Sequence, residues 1–501
     1  MLRNPVNPVS ISIVGAIAAA CLALPAAAQF PAAAADKVKG DFYFQSFGKT
    51  VAVDGDIVAV GSPDEELNKG AVWVYRVAGG DLVFEQRLTD PTPVSNDLFG
   101  ISVSVSGDRI AVGSPGTGNG QFNDDGEMYV FRFDGAAWVV DFSVTGQDLG
   151  YGTAVDIDGG ILAVGFPDAD IGHPNAGLVV LYRDDDGVWG PNGVLLGPST
   201  SGFMGRLVEL EGEWLFATRA LGVDVYRVAG GWQFVQTIPL QPDSMDADGE
   251  LLALGNFAGV TLFRRGCDVW QQELLLTDPL EPSSTFGISV GIDGDAVLVG
   301  CTTSETEGGV EGGGAFVFRS DGEGWPLEQV LFAPDAHEDQ DFGRSVALSG
   351  DRAVVGANGD DEVWVNSGAA YLYAAAPQTP RWQDQGSGLS GVRTPELSGT
   401  GTLQAGAPLG LSLACASPGG TSALFVGFSA IAAPFKGGVL VPHPDLLITG
   451  LPVDGLGAAT LSASWPAGIP SGFGLYFQQW VTDPGAPAGL AATNALLATT
   501  P

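Results

Sequence analysis

The sequence predicts an all-β chain: a seven-bladed β-propeller followed by a small β-sandwich of the immunoglobulin-like sort. Three observations carry that reading. A short pattern recurs seven times between Phe47 and Ala376, each copy alternates with the period of a strand, and composition changes abruptly near Gln378. The pattern is Phe-Gly, five alternating residues, an Asp-Gly or Ser-Gly turn, then a hydrophobic run ending in Gly. Its clearest copies run from Phe47 to Gly61, Phe99 to Gly113, Phe286 to Gly300 and Phe342 to Gly356. Weaker copies begin at Tyr151-Gly152 and near Gly205, and one is centred on Asp248-Gly249. Gly48, Gly100, Gly152 and Gly205 follow at steps of 52, 52 and 53 residues. Self-similarity at such a period marks one supersecondary unit copied around a ring or along a stack.

The second copy shows how each unit is built. Ile101, Val103 and Val105 alternate with Ser102, Ser104 and Ser106, the signature of a strand with one buried face. Ser106-Gly107-Asp108 turns the chain, because Gly accepts the positive φ of a tight hairpin. Arg109 to Val112 is apolar on both faces after its first residue and belongs in the middle of a stack. A loop follows, then a third strand at Met128–Phe131 ending in Arg132, and a fourth opened by Trp138. Trp189, Trp232, Trp270 and Trp325 open fourth strands in other copies, and repetition at one place argues packing between units. Four strands per unit with almost no helical periodicity favour a propeller over a linear β-solenoid, whose coils would be shorter and more uniform. The seventh copy lacks a fourth strand, and an open edge invites aggregation. The segment before the first copy, around Phe30 to Val38, is expected to pair there and close the ring.

Residues 1–28 read as a secretory leader: Arg3, an apolar run from Ile11 to Leu24, and Ala26-Ala27-Ala28 before Gln29. The run is short for a membrane span, and Ala18 three residues before Cys21 departs from the lipoprotein pattern. The mature chain is therefore expected outside the cell, secreted or attached to the surface, with no membrane span. The propeller is assigned to 29–377, a linker to 378–390 and the sandwich to 391–501. That last stretch has short alternating segments such as Leu411-Ser412-Leu413 and enough aromatics, Trp465 and Trp480 among them, for a core. Cys267, Cys301 and Cys415 have no metal-like spacing; isolated thiols are the plain reading, with a Cys267–Cys301 pair as the alternative. The net charge is −37, and from Arg381 onward there are only five acids and three bases. The repeat region is thus strongly acidic, which opposes binding to nucleic acid and favours basic partners or solubility.

These repeats resemble the FG-GAP family, the propeller repeat also found in integrin α chains. Phe-Gly supplies half of that motif. The other half appears as Gly61-Ser62-Pro63, Gly113-Ser114-Pro115, Gly165-Phe166-Pro167 and Gly356-Ala357-Asn358. The resemblance implies the propeller fold and an extracellular recognition role. Integrin-type blades often expand the first turn into a calcium loop, whereas here it is only Asp54-Gly55-Asp56, Asp158-Gly159-Gly160 and their equivalents. Two or three residues cannot supply the six to eight oxygens calcium takes, so Asp-Gly is read as hairpin chemistry and no cofactor is expected. The C-terminal phrases Ala433–Gly438 and Leu475–Gln478 resemble a module carried by many secreted bacterial proteins, which implies no activity.

Longer loops follow strand two and share one rim with the connections between units. They hold Asp64, Glu65, Asp124, Asp125, Asp168, Asp170, Asp360 and Asp361, with His337 on a connection; these are the candidate binding residues. Trp364, off the register of the packing tryptophans, joins them. If calcium binds anywhere, these loops are the place. Catalysis has little to work with: His173, His337 and His443 stand apart, and HExxH and phosphate-cradling loops are absent. Gly287-Ile288-Ser289-Val290-Gly291 matches GxSxG but lies inside a strand, where a nucleophile elbow has no place. The function expected is non-enzymatic recognition or adhesion, binding an extracellular protein or glycan through the acidic rim. The alternative is an extracellular carbohydrate-active or other hydrolytic enzyme on the same scaffold.

Overall fold

The computed structural model describes residues 30, 34, 36–41, 43, 45–116, 126–146, 150–198, 201–228, 231–267, 269–280, 285–306, 309–321, 324–375, 382–401, 403–465 and 468–500, with the backbone of Val9–Ser10. The rest of the expected leader lies outside them. The molecule is all-β and built of four-stranded antiparallel sheets in the manner of a propeller. Sheet 1 holds Thr50–Asp54, Ile57–Ser62, Ala71–Ala78 and Asp81–Leu88, and sheet 2 holds Ser102–Ser106, Arg109–Ser114, Glu127–Phe133 and Trp138–Thr145. Sheet 3 runs from Ala154–Asp158 to Val188–Leu196, sheet 4 from Val208–Glu211 to Trp232–Ile238, sheet 5 from Ser244–Asp248 to Val269–Leu276, and sheet 6 from Ser289–Asp293 to Leu327–Leu331. Sheet 7 takes Phe342–Ser349, Arg352–Ala357 and Ala369–Ala374 from its own repeat. Its outer strand is Asp36–Lys39, antiparallel to Ala369–Leu372, so the upstream segment does supply the missing edge.

Burial follows the sequence pattern. Second strands such as Ile57–Ser62 and Ile161–Phe166 are buried at every position. Each fully buried Val or Leu there contributes about 1.5–3 kcal/mol through apolar area removed from water. Apolar clusters sit between successive sheets, and one joins sheet 7 back to sheet 1 through Val354 and Leu372 against Val51, Val58 and Val60. The motif Phe fills these seams: Phe47, Phe99 and Phe342 are fully buried. The Gly beside it is obligatory, because Gly48 has φ of +82° and a Cβ there would lie 2.2 Å from the Ala369 carbonyl oxygen. Hydroxyls one turn on bind the same junctions: Thr50 donates to the Gly100 carbonyl at 2.8 Å, Ser289 to Gly343 at 2.8 Å and Ser345 to Gly48 at 2.8 Å. The GxSxG serine is therefore a sheet-to-sheet tie.

The Asp-Gly turns form a second set of ties at the opposite face. The side chain ending each first strand accepts the amide of the next sheet's turn glycine. Asp54 takes Gly107 N–H at 2.7 Å, Ser106 takes Gly159 at 3.0 Å and Asp158 takes Gly212 at 2.7 Å. Glu211 takes Gly249 at 3.0 Å, Asp248 takes Gly294 at 2.6 Å and Asp293 takes Gly350 at 2.7 Å. Ser349 then takes Gly55 at 3.1 Å, and the circuit is closed.

The C-terminal unit has two larger sheets and a two-stranded ribbon, Ala430–Phe435 with Gly438–Pro442, among the described residues. Glu396–Thr400, Pro408–Ala414 and Ala459–Ser464 form one, beside which the backbone of Val9–Ser10 lies. The other contains Trp382–Asp384, Leu496–Thr499, Gly474–Thr482, Thr421–Gly427 and Leu446–Pro452. Leu397 and Leu411 from the first sheet share an apolar cluster with Leu424 and Phe477 from the second. Trp382–Asp384 falls within the expected linker, so part of that segment is strand. The expectation for cysteine is corrected: Cys267 is disulfide-bonded to Cys415, and Cys301 is a buried thiol. The reason is tertiary, since the C-terminal unit folds back beneath sheet 5, where Arg265 also pairs with Glu396 at 2.6 Å.

Candidate functional site

Strands one and three end, and strands two and four begin, at the face of the Asp-Gly turns, where the C-terminal unit sits. The loops after strand two therefore project from the opposite rim, away from the described residues of the C-terminal unit. Most of the predicted rim residues in the described part fall there, but they do different jobs. Glu65 is 2% exposed and accepts from Gln45, Trp73 and Arg87 at 2.6, 3.1 and 2.6 Å. Asp360, in the equivalent position, is fully buried and takes Lys37 at 2.9 Å and Gln340 at 2.8 Å. Burial would raise the Asp360 carboxyl, but hydrogen bonds from Lys37, Glu362 N–H and Gln340 together hold it below its ordinary value. Both acids are thus internal anchors, a correction to their place among the exposed candidates. The loop acid at this offset turns inward because a Gln two residues before the motif Phe points to it in both repeats.

The other acids are outward. Asp168 and Asp170 are exposed, Asp361 is exposed, and Asp64 is partly covered by Lys49 at 3.3 Å. Asp170 and Asp361 each accept an amide five residues on, from Asn175 at 2.7 Å and Asn366 at 2.6 Å, which stiffens two equal-length loops. Asp124 and Asp125 lie outside the described residues. His337 and Asp335 on the connection from sheet 6 to sheet 7, with Asp361 and Glu362 on the loop of sheet 7, line a shallow cavity of about 320 Å³. Lys37 of the borrowed strand reaches Asp335 at 2.6 Å and Glu362 at 2.8 Å there. The rim of sheet 7 therefore gathers His337, Asp360, Asp361 and Trp364, while Asp168 and Asp170 sit on sheet 3.

Trp364 is 43% exposed and packs against Tyr43 with ring centroids 4.3 Å apart and the rings tilted by 34°. Val363 and Val365 are exposed beside it. Other loops after strand two expose Leu67, Ile171, Leu221 and Phe257. Sequence reading missed Tyr43 and these apolar tips; their signal was an apolar residue amid Gly, Asp and Asn with no partner in the strand alternation.

First strands line a central channel of about 430 Å³. Its walls carry Asp54, Asp156, Asp158, Glu209, Glu211, Asp246 and Asp293, with no basic side chain. Burial pushes Asp156 up to about 6 and Glu211 up to about 7. Glu209 and Asp246 share a hydrogen bond and both titrate well above the ordinary range, again chiefly through burial. Among the described residues no group of three or more His, Cys, Asp or Glu has metal-holding geometry. No helix among them is long and apolar enough to cross a membrane.

Residues 82–131 and 325–373 match the family model of the FG-GAP repeat. No curated protein sequence matches the chain. Solved structures similar to it include a Lactobacillus plantarum protein, with 13% identity, TM-score 0.39, 58% of this chain and 86% of that one covered. A periplasmic gluconolactonase, PpgL, of Pseudomonas aeruginosa has 18% identity and TM-score 0.38, covering 65% and 96%. A functionally unknown protein of Desulfotomaculum acetoxidans DSM 771 has 11% identity and TM-score 0.40, covering 58% and 87%.

Proposed function

Since the chain carries FG-GAP repeats on a propeller-like stack of sheets, we propose that it is an exported, non-enzymatic recognition protein with seven blades. The rim of its strand-two loops holds an extracellular protein whose surface is basic around an apolar centre. The immunoglobulin-like C-terminal unit sits on the other face and leaves that rim clear. One observation carries the reading: an exposed aromatic pair, Tyr43 packed at a tilt against Trp364 with Val363 and Val365 beside it, set among Asp361, Glu362 and the other rim acids. Interface hot spots are of this kind, a large aromatic anchor ringed by polar groups, while single-sign charge speeds and orients encounter. The disulfide and the acidic surface fit an oxidising compartment outside the cytoplasm.

The test is capture from a panel of purified extracellular proteins and glycans at two salt concentrations. A protein ligand should bind saturably, weaken with salt, and lose tenfold or more in affinity on Trp364→Ala. Equal capture by Trp364→Ala would end the rim reading. The hydrolytic alternative draws on the channel, where Glu211 titrates near neutrality. Turnover of a panel glycan that disappears in Glu211→Gln would establish it instead.

A further inference from the structure

A second concave site lies away from the rim, between sheets 5 and 6 and the C-terminal unit, with a volume of about 440 Å³. The arrays on its two sides are joined covalently by Cys267–Cys415 and electrostatically by Arg265–Glu396, so the cleft is held open at a fixed width. Its propeller wall presents Glu250 over the buried Leu251 and Trp325, and its C-terminal wall presents the half-buried Trp382 with Asp384, Thr400 and Asn494. An indole, that of Trp382, and a hydrogen-bonding edge occur together. Sites of this size at domain boundaries, apolar with a few convergent polar groups, are where small molecules bind.

The lining chooses among ligand classes. Anions are opposed because acids outnumber bases and both arginines are already engaged, Arg264 with Glu273 at 2.6 Å and Arg265 with Glu396. Among the described residues a metal ion has no cluster of ligands to enter. A long apolar ligand would strip water from Asp384 and Glu250 without return. What remains is a neutral molecule with one apolar face and a rim of hydroxyls. A pyranose ring has that shape, its C–H face suited to an indole and its hydroxyls to carboxylate and amide. Asp384, exposed and ordered by Asn494 Nδ2 at 3.1 Å and Gly386 N–H at 2.6 Å, keeps further acceptor capacity for a sugar hydroxyl.

We propose that this cleft binds a neutral saccharide of one or two rings, independently of the protein partner on the rim. The probes are glucose, galactose, mannose, N-acetylglucosamine, cellobiose and lactose, titrated into the full chain by calorimetry and by saturation-transfer NMR. At least one should bind saturably. Thr400→Trp, a bulky change at an exposed edge position that leaves the core intact, should abolish binding by filling the cleft. Asp384→Ala should weaken it about tenfold, the loss of one hydrogen bond to a charged acceptor. Thermal melts matching the wild type would show that both variants are folded. Absence of saturable binding by all six sugars, or unchanged binding in folded Thr400→Trp, would overturn the proposal.

Discussion

At Glu85 three groups from two sheets converge. It is the extra residue of a β-bulge, sitting between Phe84 and Gln86 opposite Tyr75 and Val74. It takes Arg76 of its own third strand at 3.2 Å and the indole N–H of Trp138 in the next sheet at 3.0 Å. Asp141 repeats this with Arg132 and Trp189, and Glu273 with Arg264 and Trp325. Burial alone would raise the Asp141 carboxyl, but hydrogen bonds from Trp189 and Arg132 hold it below its ordinary value. The bulge residues of sheets 3 and 4 are Asn192 and Val235, and there the indole nitrogens of Trp232 and Trp270 have no hydrogen-bond partner among the described residues. An unsatisfied buried donor costs about 1–3 kcal/mol. Asn192→Asp, nearly isosteric, should therefore stabilise the protein by about 1 kcal/mol through Trp232. Glu85→Ala should destabilise it by about 1–3 kcal/mol by orphaning Trp138. Urea denaturation of both variants decides; a destabilising Asn192→Asp would refute the triad account.

At the scale of elements, the borrowed strand is the part most exposed to failure. Phe30 is buried against the sheet 6–7 core, and Lys37 is clamped by three carboxylates, one of them fully buried. Removing Lys37 leaves Asp360 without its main counter-charge, so Lys37→Ala should cost about 3 kcal/mol. Lys39→Ala removes only an exposed pair with Glu362 and should cost under about 1 kcal/mol. Thermal melts that rank the two the other way would mean the clamp is decorative. The strand itself was legible, because a missing fourth strand and an unassigned upstream segment imply each other. So were the sheets, whose alternation is local. Local signals fail where the ties are long: nothing near Cys267 points to Cys415, and nothing in Asp64-Glu65-Glu66 says which acid turns inward. The partner of Glu65 is Gln45, twenty residues upstream on the far side of the motif.

For the whole molecule, the channel couples stability to pH. Asp156 rises from 3.8 to about 6 and Glu211 from 4.5 to about 7 on folding, with Glu209 and Asp246 moving the same way. The native state then holds protons that the unfolded chain has released, so this stabilisation is complete below about pH 4 and is lost as pH rises through about 6 to 8. Asp141, Asp335, Asp360 and Glu362 are shifted downward and act oppositely, losing their contribution as pH falls into the acid range. The melting temperature should accordingly be higher near pH 5 than at pH 8, and Glu211→Gln should flatten the slope. A melting temperature that climbs steadily from pH 5 to pH 8 would contradict the channel's role. The turn-to-turn circuit has a further consequence. A loop of ties in which Ser349 hands back to Gly55 has no first member, and Asp36–Lys39 already shows that the start of the repeat region need not coincide with a sheet boundary. Where the gene opens the circle is then a matter of descent more than of mechanics, and circular permutants cut at other outer hairpins keep every such tie.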